Sequence, residues 1–577
     1  MTSTLSDRGE PAMLTVPPAP AFSLDELTSE ACAALDAALN ELHAYAERWV
    51  RLDDAKRGAL LEDVVAGLLR IGPRLVATSL EARGLPAGGH AEGEEWLGVA
   101  MNIRYARLLR RSLAELERFG HPHLPHPPRL GPGDQTIVRV YPDDIYEELT
   151  QPGMHAEVWM RPGVSLEETI ATQAWAYRTP HAGQVVAVLG AGNAALVIPT
   201  DMLYQLFVEG RVVAFKFSPI TSYLEPLFAE AFAPLIAEGC LRLLTGGATV
   251  GFYLAHHPMV DCVHLTGSRA TYEQLLAGPP PLARPLTAEL GNVTPAIIVP
   301  GPWKPAELEA QAVALATWAV FNGGYLCSAP RMIIQHRQWA LRHEFLGRFE
   351  QILAATPTRR AYYPGVQETY AALLAQHRDV RRLGTPGPDD LPWTLVPDLD
   401  PEAYDEPLFT HEQFGPFLGE TALDAPDVAG FIDRAVVFAN ERLWGRLAAT
   451  IVVHPETLRD PRVRAAYERA LFDLRYGTIT VNTHPGSSYY TGMTSWGAFP
   501  SALAHDRGTG EGTVCNAAML RSPEKSVLTA RFHPLGAPLM LGSHAMPLVA
   551  RRLAEAQAHP SPLTAARLTI ATLGGGA

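Results

Sequence analysis

QVVAVLGAGNAALVIPTDMLYQLFVEGRVVAFKF, residues 184–217, places two short valine-rich apolar runs on either side of a segment with helical periodicity. Apolar runs of this length predict strands buried on both faces, and the helical segment predicts the crossover between them. The same alternation continues with CLRLLTG at residues 240–246 and DCVHLTG at residues 261–267. The pattern therefore predicts an α/β domain built on a parallel sheet.

A second α/β pattern follows the proline-rich stretch AGPPPLAR at residues 277–284, which we interpret as a domain boundary. Its apolar runs are TPAIIVPG, RMIIQHR, LAATIVVH and GTITVN, with the helical segment PAELEAQAVALATWAVFN among them. We therefore predict two Rossmann-like parallel-sheet domains, at residues 23–284 and 285–480. We expect residues 481–577 to return to the first domain and to fray from residue 551, because the chain ends in glycines.

The segments that flank these patterns differ in character. Residues 1–22 are rich in Pro, Ser and Thr and predict a flexible tail, whereas residues 24–120 carry three helical patterns, the first with Ser23 as its N-cap. TIVRVYP and AEVWMRP, within residues 136–162, alternate apolar and polar side chains and predict strands without a helical crossover. We expect these strands to protrude as an oligomerisation element, and we expect irregular insertions at residues 356–405.

Composition narrows the class of partner. The 577 residues carry a formal net charge of −14, which disfavours a nucleic-acid or anionic-membrane partner and leaves small molecules as the expected partners. No apolar run is long enough to span a membrane and the N-terminus does not resemble a signal peptide, so we expect a cytoplasmic protein. The five cysteines lack zinc-binding spacing, and His121, His123 and His126 lie in a proline-rich connection, so we expect no metal site.

The turn inside the opening stretch matches the glycine pattern of a dinucleotide-binding loop. Gly190, Gly192 and Ala195 form G-x-G-x-x-A after a predicted strand and before a predicted helix, where backbone amides can approach a pyrophosphate. However, the next strand ends near Lys216, where the usual fingerprint has an acidic residue. Taken alone, the motif favours a tight strand-to-helix turn with no role in phosphate binding.

Three further motifs contain residue types suited to catalysis or binding. Cys327 in FNGGYLCSAPR could be a nucleophile, or a buried structural cysteine. Glu289 in TAELGNVTP could be a general base whose pKa is raised by burial, or a solvated edge residue. In HEQFGPFLGE, Glu412 could accept ribose hydroxyls and Phe414 could pack on a nicotinamide, or the motif could be a surface loop with a buried Phe.

The order of these motifs from about residue 180 to about residue 515 resembles that of the aldehyde dehydrogenase superfamily. The resemblance implies the aldehyde dehydrogenase-like fold, with the cofactor-binding domain first and the catalytic domain second. It implies that NAD or NADP is the cofactor and an aldehyde the substrate. The residues that match positions for cofactor binding are Gly190, Lys216, Ser218, Gly267, Ser268, Glu412 and Phe414.

The resemblance also implies a mechanism. Cys327 would attack the aldehyde as a thiolate and form a thiohemiacetal whose oxyanion is held by Asn193 and by a backbone N–H. Hydride transfer to the cofactor would leave a thioester, which a water activated by Glu289 would hydrolyse. The family also implies a homodimer or homotetramer.

The sequence departs from the family pattern at several positions. Ala191 and Gly192 replace the usual Pro-Trp before the asparagine, and Asn292 replaces a second glycine after ELG. Pro219 stands where NAD-preferring members often carry a glutamate, so we expect NADP to be accepted or preferred, while NAD stays open as a cofactor. Two alternatives remain: a CoA-acylating aldehyde dehydrogenase or acyl reductase, and a catalytically silent member that serves as a binding protein. Glu289 argues against the first, since such relatives commonly lack it.

Overall fold

The computed structural model describes residues 27–500, 510–533 and 539–574. The expected flexible tail at residues 1–22 and the expected N-cap Ser23 lie outside the described residues. The helices of the described part are α1 Ser29–Val50, α2 Asp54–Ala82, α3 His90–Phe119, α4 Ile145–Thr150, α5 Leu166–Thr172, α6 Trp175–Arg178, α7 Val197–Phe207, α8 Glu225–Ala231, α9 Ala233–Glu238, α10 Ala248–His256, α11 Arg269–Ala277, α12 Pro305–Val320, α13 Arg342–Ala355, α14 Val366–Gln376, α15 Pro407–Thr410, α16 Val428–Arg442, α17 Pro461–Asp473, α18 Ser487–Thr491, α19 Met546–Ala558 and α20 Pro562–Gly574.

The strands alternate with these helices along much of the chain, as the sequence pattern predicts. They are β1 Arg129–Leu130, β2 Thr136–Tyr141, β3 His155–Met160, β4 Val185–Leu189, β5 Val212–Lys216, β6 Leu241–Leu244, β7 Cys262–Thr266, β8 Leu286–Glu289, β9 Thr294–Ile298, β10 Pro330–His336, β11 Arg359–Arg360, β12 Arg381–Leu383, β13 Asp390–Leu391, β14 Trp393–Leu399, β15 Phe417–Leu423, β16 Ala448–Val452, β17 Thr478–Val481, β18 Ser495–Trp496, β19 Val514–Cys515 and β20 Pro523–Thr529.

The first sheet has the strand order β6-β5-β4-β7-β8, and every pair in it is parallel. Strands β4, β5 and β7 are buried along their whole length, which explains their continuous apolar sequence. The sheet runs past the boundary expected at residue 284, because β8 pairs with β7 from Leu286 to Glu289. The boundary is therefore corrected to follow Glu289, and the prolines before it form a loop within the first domain.

The second sheet has eleven strands in the order β1-β2-β3-β20-β17-β16-β9-β10-β15-β14-β12. Its centre, from β20 to β14, is parallel, and antiparallel strands extend it at both ends. The expectation of two Rossmann-like α/β units is confirmed, with the second enlarged. The expectation of irregular insertions at residues 356–405 is wrong, since α14 and four strands form there.

The strands β2 and β3 form no sheet of their own but extend the second sheet at one edge. Strand β3 pairs antiparallel with β20, which pairs in turn with β17, so both strands continue the second sheet. No helical crossover joins these two strands to the parallel centre of the sheet. Strand β20, from the C-terminal segment, lies between β3 and that centre. An oligomeric state built on this edge stays a prediction.

The terminal helices pack together on the first domain. Helix α1 begins after Thr28, whose side chain accepts a hydrogen bond from the Ala31 N–H, and it buries Trp49 against Phe207 of α7. Helix α19 lies against α3 so closely that a side chain at Gly93 would collide with Met546. The expected fraying from residue 551 is wrong, because α19 and α20 continue to Gly574.

Candidate active site

The carboxyl ends of four neighbouring strands in the first sheet carry residues singled out in the sequence. Asn193 follows β4, Lys216 ends β5, Ser268 follows β7 and Glu289 ends β8. Carboxyl ends of parallel strands lie along one edge, and β4 and β7 flank the point at which the order of connection reverses. This edge is where open α/β sheets bind ligands.

The second domain contributes Cys327 and Glu412 to the same place. Both residues lie in loops that precede strands, Cys327 before β10 and Glu412 before β15. The charges of Glu289 and Glu412 both act on the Cys327 thiol, and the two carboxylates act on each other. The site therefore forms where the carboxyl edge of the first sheet meets the amino ends of strands in the second.

Cys327 lies at the end of a loop with an unusual backbone. Asn322, Gly323 and Gly324 have φ values of 52°, 69° and 81°, a left-handed run that glycine adopts without strain. Burial raises the pKa of the Cys327 thiol well above its usual value, and the charges of Glu289 and Glu412 raise it further. Two carboxylates therefore adjoin the thiol and oppose its ionisation.

Glu289 has the surroundings of a general base. Its side chain is 5% exposed, and burial raises its pKa to about 7. Its Oε1 has no hydrogen-bond partner within the described ranges, so one carboxylate oxygen is open to a water or a substrate. A carboxyl group with a pKa near neutrality can both accept and release a proton.

Two buried polar residues, Asp201 and His264, lie near Glu289. Thr266 Oγ1 donates to Asp201 Oδ2 at 2.8 Å, and His264 Nδ1 lies 2.9 Å from Thr287 Oγ1. The Asp201 charge raises the pKa of Glu289, whereas His264 lowers it. His264 is thus a buried, hydrogen-bonded core residue. Asp201 in TDMLYQLF has no sequence signal apart from being one acid within an apolar helix.

Glu412 lies directly against the loop that follows Glu289. A Cβ at Gly291, which has a φ of 86°, would be 2.5 Å from Glu412 Oε2, so only glycine leaves room for the carboxylate. Burial raises the pKa of Glu412 to about 8, while Arg331 opposes the rise. Its Oε1, like that of Glu289, has no partner in the described part of the chain.

Phe414 belongs to an aromatic cluster beside the cysteine loop. Its ring centroid lies 4.8 Å from that of Tyr363 and 5.9 Å from that of Tyr325. The Arg331 guanidinium lies 6.0 Å from the Phe414 ring centroid. These contacts fix the ring, which remains partly exposed and can still offer a flat apolar surface.

The Asn193 side chain is aimed at the cysteine loop. Its Nδ2 donates to the carbonyl oxygen of Tyr325 at 3.0 Å, two residues before Cys327. Its own backbone carbonyl accepts hydrogen bonds from Asn322 Nδ2 at 2.8 Å and from the Tyr362 hydroxyl at 2.9 Å. The amide expected to hold an oxyanion is thus fixed from both sides of the loop.

Charged residues of the N-terminal helices hold this arrangement in place. Arg83 Nη1 donates to Asn322 Oδ1 at 2.5 Å, and Glu94 Oε2 accepts the Asn322 N–H at 3.1 Å. Arg359 binds both oxygens of Glu94 at 2.7 and 2.8 Å, and although burial opposes it, this pairing holds the pKa of Glu94 well below its usual range. Sequence reasoning missed Arg83, Glu94 and Arg359, which lie outside the motifs.

The expected cofactor loop is closely packed by its own chain. A Cβ at Gly190 would collide with the Phe215 ring, and a Cβ at Gly192 would lie 2.6 Å from Ser218 Oγ. These contacts alone account for both glycines, which agrees with the tight-turn interpretation of the motif. Gly267 donates its N–H to the Glu289 carbonyl at 3.1 Å, and Ser268 caps α11 by accepting the Thr271 N–H at 3.2 Å.

Lys216 is a buried cation at the end of β5. The side chain is 7% exposed, and burial lowers its pKa to about 8. No ion pair to Lys216 is found within residues 27–500, 510–533 and 539–574. A buried ammonium without an acidic partner is stabilised when an anionic or hydroxyl-bearing ligand approaches it.

The described residues contain neither a metal-binding group nor a membrane-spanning helix. No group of three or more His, Cys, Asp or Glu side chains in that part of the chain could hold a metal ion. No helix there combines the length and apolar character that crossing a bilayer requires.

A cavity of about 670 Å³ opens beside Cys327. Asn193, Cys327 and Ser328 line one end, and Trp318 and Phe321 form adjoining walls. The cavity is therefore lined by a cysteine and an amide, and the carboxylate of Glu289 acts on that cysteine.

Comparisons with known proteins show which family this chain is similar to. The model of the family described as "Aldehyde dehydrogenase family" matches residues 156–367 of this chain. D-glyceraldehyde dehydrogenase (NADP(+)) of Picrophilus torridus is 26% identical over 348 residues, which cover 55% of this chain and 64% of that protein. Alpha-ketoglutaric semialdehyde dehydrogenase 2 of Azospirillum brasilense is 28% identical over 285 residues, covering 46% of this chain and 50% of that protein. The matches thus span less than two thirds of either relative.

Solved structures show the same fold. Lactaldehyde dehydrogenase from Escherichia coli superposes with a TM-score of 0.57 at 18% identity, covering 85% of this chain and 90% of the other. The aldehyde dehydrogenase KauB from Pseudomonas aeruginosa superposes with a TM-score of 0.58 at 20% identity, covering 86% and 88%. Together with the family match at residues 156–367, these structures show that the chain has the aldehyde dehydrogenase fold.

Proposed function

We propose that this chain oxidises an aldehyde to a carboxylic acid with NAD or NADP, through a thioester on Cys327. The observation that carries the proposal is the convergence of Cys327, Glu289 and Asn193 from two domains at one site. Each residue has a separate chemical task. Asn193 and Glu289 come from the first domain, whereas Cys327 comes from the second. The relatives named as aldehyde dehydrogenases support the same reaction class.

The residues can divide the reaction between them. The Cys327 thiol loses its proton to solvent water and its sulfur attacks the carbonyl carbon, while the Asn193 amide and the Cys327 backbone N–H stabilise the oxyanion. A bound nicotinamide cofactor would accept the hydride. Glu289 then takes a proton from water, whose oxygen attacks the thioester carbon, and the acid leaves as the Cys327 sulfur is released. The free Glu289 Oε1 suits that water.

The chain's own residues fit a nicotinamide dinucleotide in part. The unpartnered Glu412 Oε1 can accept hydrogen bonds from ribose hydroxyls, and Lys216 can donate to the other ribose or its phosphate. Ser268 stands at the N-terminus of α11, where partial positive charge favours a pyrophosphate. Gly190 and Gly192 are explained by packing, so the proposal assigns them no contact with the cofactor.

Assay of cofactor reduction with a panel of aldehydes, in the presence and absence of CoA, tests the proposed reaction. We expect reduction without CoA, because Glu289 supplies the base that hydrolysis requires. Turnover that depends on added CoA would show instead that this is an acylating enzyme. Absence of reduction with every aldehyde, with or without CoA, would favour the catalytically silent alternative.

We expect NADP to bind at least as tightly as NAD. Pro219 replaces the acid that would repel a 2′-phosphate, and Lys216 and Ser218 remain as donors. One relative is named for NADP(+), and a solved structure of similar fold holds NAD. Lys216→Met should weaken NADP binding by about 1.5–3 kcal/mol and NAD binding by less.

Calorimetric titration of both cofactors measures these differences. Lys304→Met, at the N-cap of α12, serves as the control variant and should bind both cofactors like the wild type. If wild-type protein binds NAD much more tightly than NADP, the inference from Pro219 is wrong.

A further inference from the structure

The cavity that opens at Cys327 extends along one face of α3. Its volume of about 670 Å³ lies within the range of about 300–1,000 Å³ that is typical of small-molecule sites. Cys327 and Asn193 line one end, while Arg107 of α3 and Gln557 of α19 line the other. A two- or three-carbon aldehyde would leave most of this space unfilled.

The walls between the two ends are mainly apolar. Leu97 and Met101 come from α3, Val549 and Leu553 come from α19, and Leu568 comes from α20. Because burial of apolar surface favours binding, walls of this kind select a ligand with an extended apolar body. Both C-terminal helices lie outside the part of the chain that the family description matches.

Three arginines lie on the face of α3 that approaches the far end. Arg104, Arg107 and Arg111 are spaced three and four residues apart, which brings them onto one side of the helix. Arg104 is paired with Glu147 at 2.5 Å, and Arg111 is paired with Asp143. Arg107 differs from both, because no ion pair to it is found within the described part of the chain.

Within the described residues, Arg107 makes no hydrogen bond to a carboxylate. Its Nη2 donates to the neutral Gln557 Oε1 at 2.8 Å, and its buried Nε has no partner there. Burial and the charges of Arg104 and Arg111 lower the pKa of Arg107 to about 10, and the charges of Glu147 and Asp144 oppose this shift only in part, so the group remains charged at neutral pH. An anionic group of a ligand could form the hydrogen-bonded ion pair that no described carboxylate forms with Arg107.

The two acids near Arg107 in the cavity lining already interact with other groups of the protein. Glu147 pairs with Arg104, and Asp144 caps α4 by accepting the Glu147 N–H at 2.9 Å. Among the described residues, the charged side chains that line the cavity are Arg104, Arg107 and Arg531 on one hand and Asp144 and Glu147 on the other, an excess of one positive charge. Neither acid is hydrogen-bonded to the Arg107 guanidinium.

We propose that the substrate is an aldehyde with a long apolar body and a carboxylate at its far end, which Arg107 binds. The aldehyde carbon lies at Cys327, the apolar chain follows the walls of α3, α19 and α20, and the carboxylate meets the guanidinium. A carboxylate matches the planar donor pair of an arginine better than a single-point acceptor does. The assignment of the aldehyde rests on the proposed function, whereas the binding of a long anion does not.

Three aldehydes separate the elements of the proposal: 12-oxododecanoate, its methyl ester, and propanal. For the wild type we expect kcat/KM to be at least tenfold higher for 12-oxododecanoate than for the methyl ester, and higher for both than for propanal. Equal values for the acid and its ester would overturn the role of the anion. Propanal turned over as well as the long aldehydes would overturn the role of the apolar walls.

Arg107→Gln should remove the preference for 12-oxododecanoate by raising its KM, while values for the methyl ester change little. Arg110→Gln is the matched control, because Arg110 lies on the outer side of α3 and pairs with Glu62 at 2.9 Å. The melting temperature of each variant reports on folding separately. A preference for the acid that survives in Arg107→Gln would contradict the assignment of that residue.

Binding of dodecanedioate to cofactor-free protein, measured by calorimetry, tests the site without any reaction. We expect wild type and Arg110→Gln to bind it and Arg107→Gln to bind it at least tenfold more weakly. If this difference appears but no aldehyde is oxidised, the anion site stands and the proposed reaction fails. If aldehydes are oxidised but dodecanedioate binds wild type and Arg107→Gln equally, the reaction stands and this inference fails.

Discussion

Cys327→Ala should abolish aldehyde oxidation, with kcat reduced by about 10⁴–10⁶-fold, the range seen when a catalytic nucleophile is removed. The expected loss is large because among Cys32, Cys240, Cys262, Cys327 and Cys515 only Cys327 lines the cavity as described. Alanine retains the Cβ and the backbone, so the left-handed turn before it is undisturbed. Steady-state cofactor reduction with a reactive aldehyde measures the effect.

Cys32→Ala and Cys515→Ala are the matched controls and should retain nearly full activity. Cys32 lies in α1, away from the motifs, and Cys515 contributes its backbone carbonyl, not its sulfur, as the acceptor of the Tyr105 hydroxyl at 2.6 Å. Substantial activity in Cys327→Ala would overturn the thioester mechanism altogether.

Glu289→Gln should reduce one equivalent of cofactor in a burst and then stall. The Glu289 charge helps to raise the pKa of the Cys327 thiol, so its removal eases formation of the thiolate and the first half of the reaction survives. Hydrolysis of the thioester loses its base, and steady turnover should fall by about 10²–10⁴-fold. Rapid mixing of enzyme, cofactor and aldehyde, followed by nicotinamide absorbance, resolves the two phases.

The pH dependence of steady turnover provides a second readout of Glu289. Because burial raises its pKa to about 7, the carboxylate that acts as a base is scarce below that pH and abundant above it. Wild-type turnover should therefore rise with pH through about 7, and the rise should be absent from Glu289→Gln. Glu273→Gln, on the exposed surface of α11, should retain the wild-type profile. Wild-type steady turnover in Glu289→Gln would rule out its role as base.

The fold and much of the candidate site could be predicted from local sequence. Valine-rich runs such as β4 and β5 are buried on both faces of a parallel sheet, and that burial imposes a continuous apolar pattern which is visible without any structure. Asn193, Glu289 and Cys327 could be located because a strand end or a glycine turn marks each of them. The roles of these residues remain proposals.

Interactions between distant segments could not be predicted. Glu94 reaches Asn322 across more than two hundred positions of sequence, and nothing near either residue indicates the other. The position of β3 depends on β20, which arrives from the C-terminal segment, so its place in the second sheet was beyond a local pattern. The pKa of Cys327 likewise depends on which carboxylates the fold brings near it, and no local sequence pattern reveals them.

Helix α3 has a mechanical consequence for this molecule. Its 30 residues hold Glu94 near one end against the loop that leads to Cys327, and place Arg107 about 20 Å further along the axis, at 1.5 Å per residue. An α-helix of this length behaves as a stiff rod, so a tilt imposed at Arg107 is transmitted to Glu94 with little damping. The rod is also braced along its length by α2 and α19. Insertions in the loops around α3 that tilt this helix would therefore shift the loop that leads to Cys327, even when no residue of the two sheets is altered.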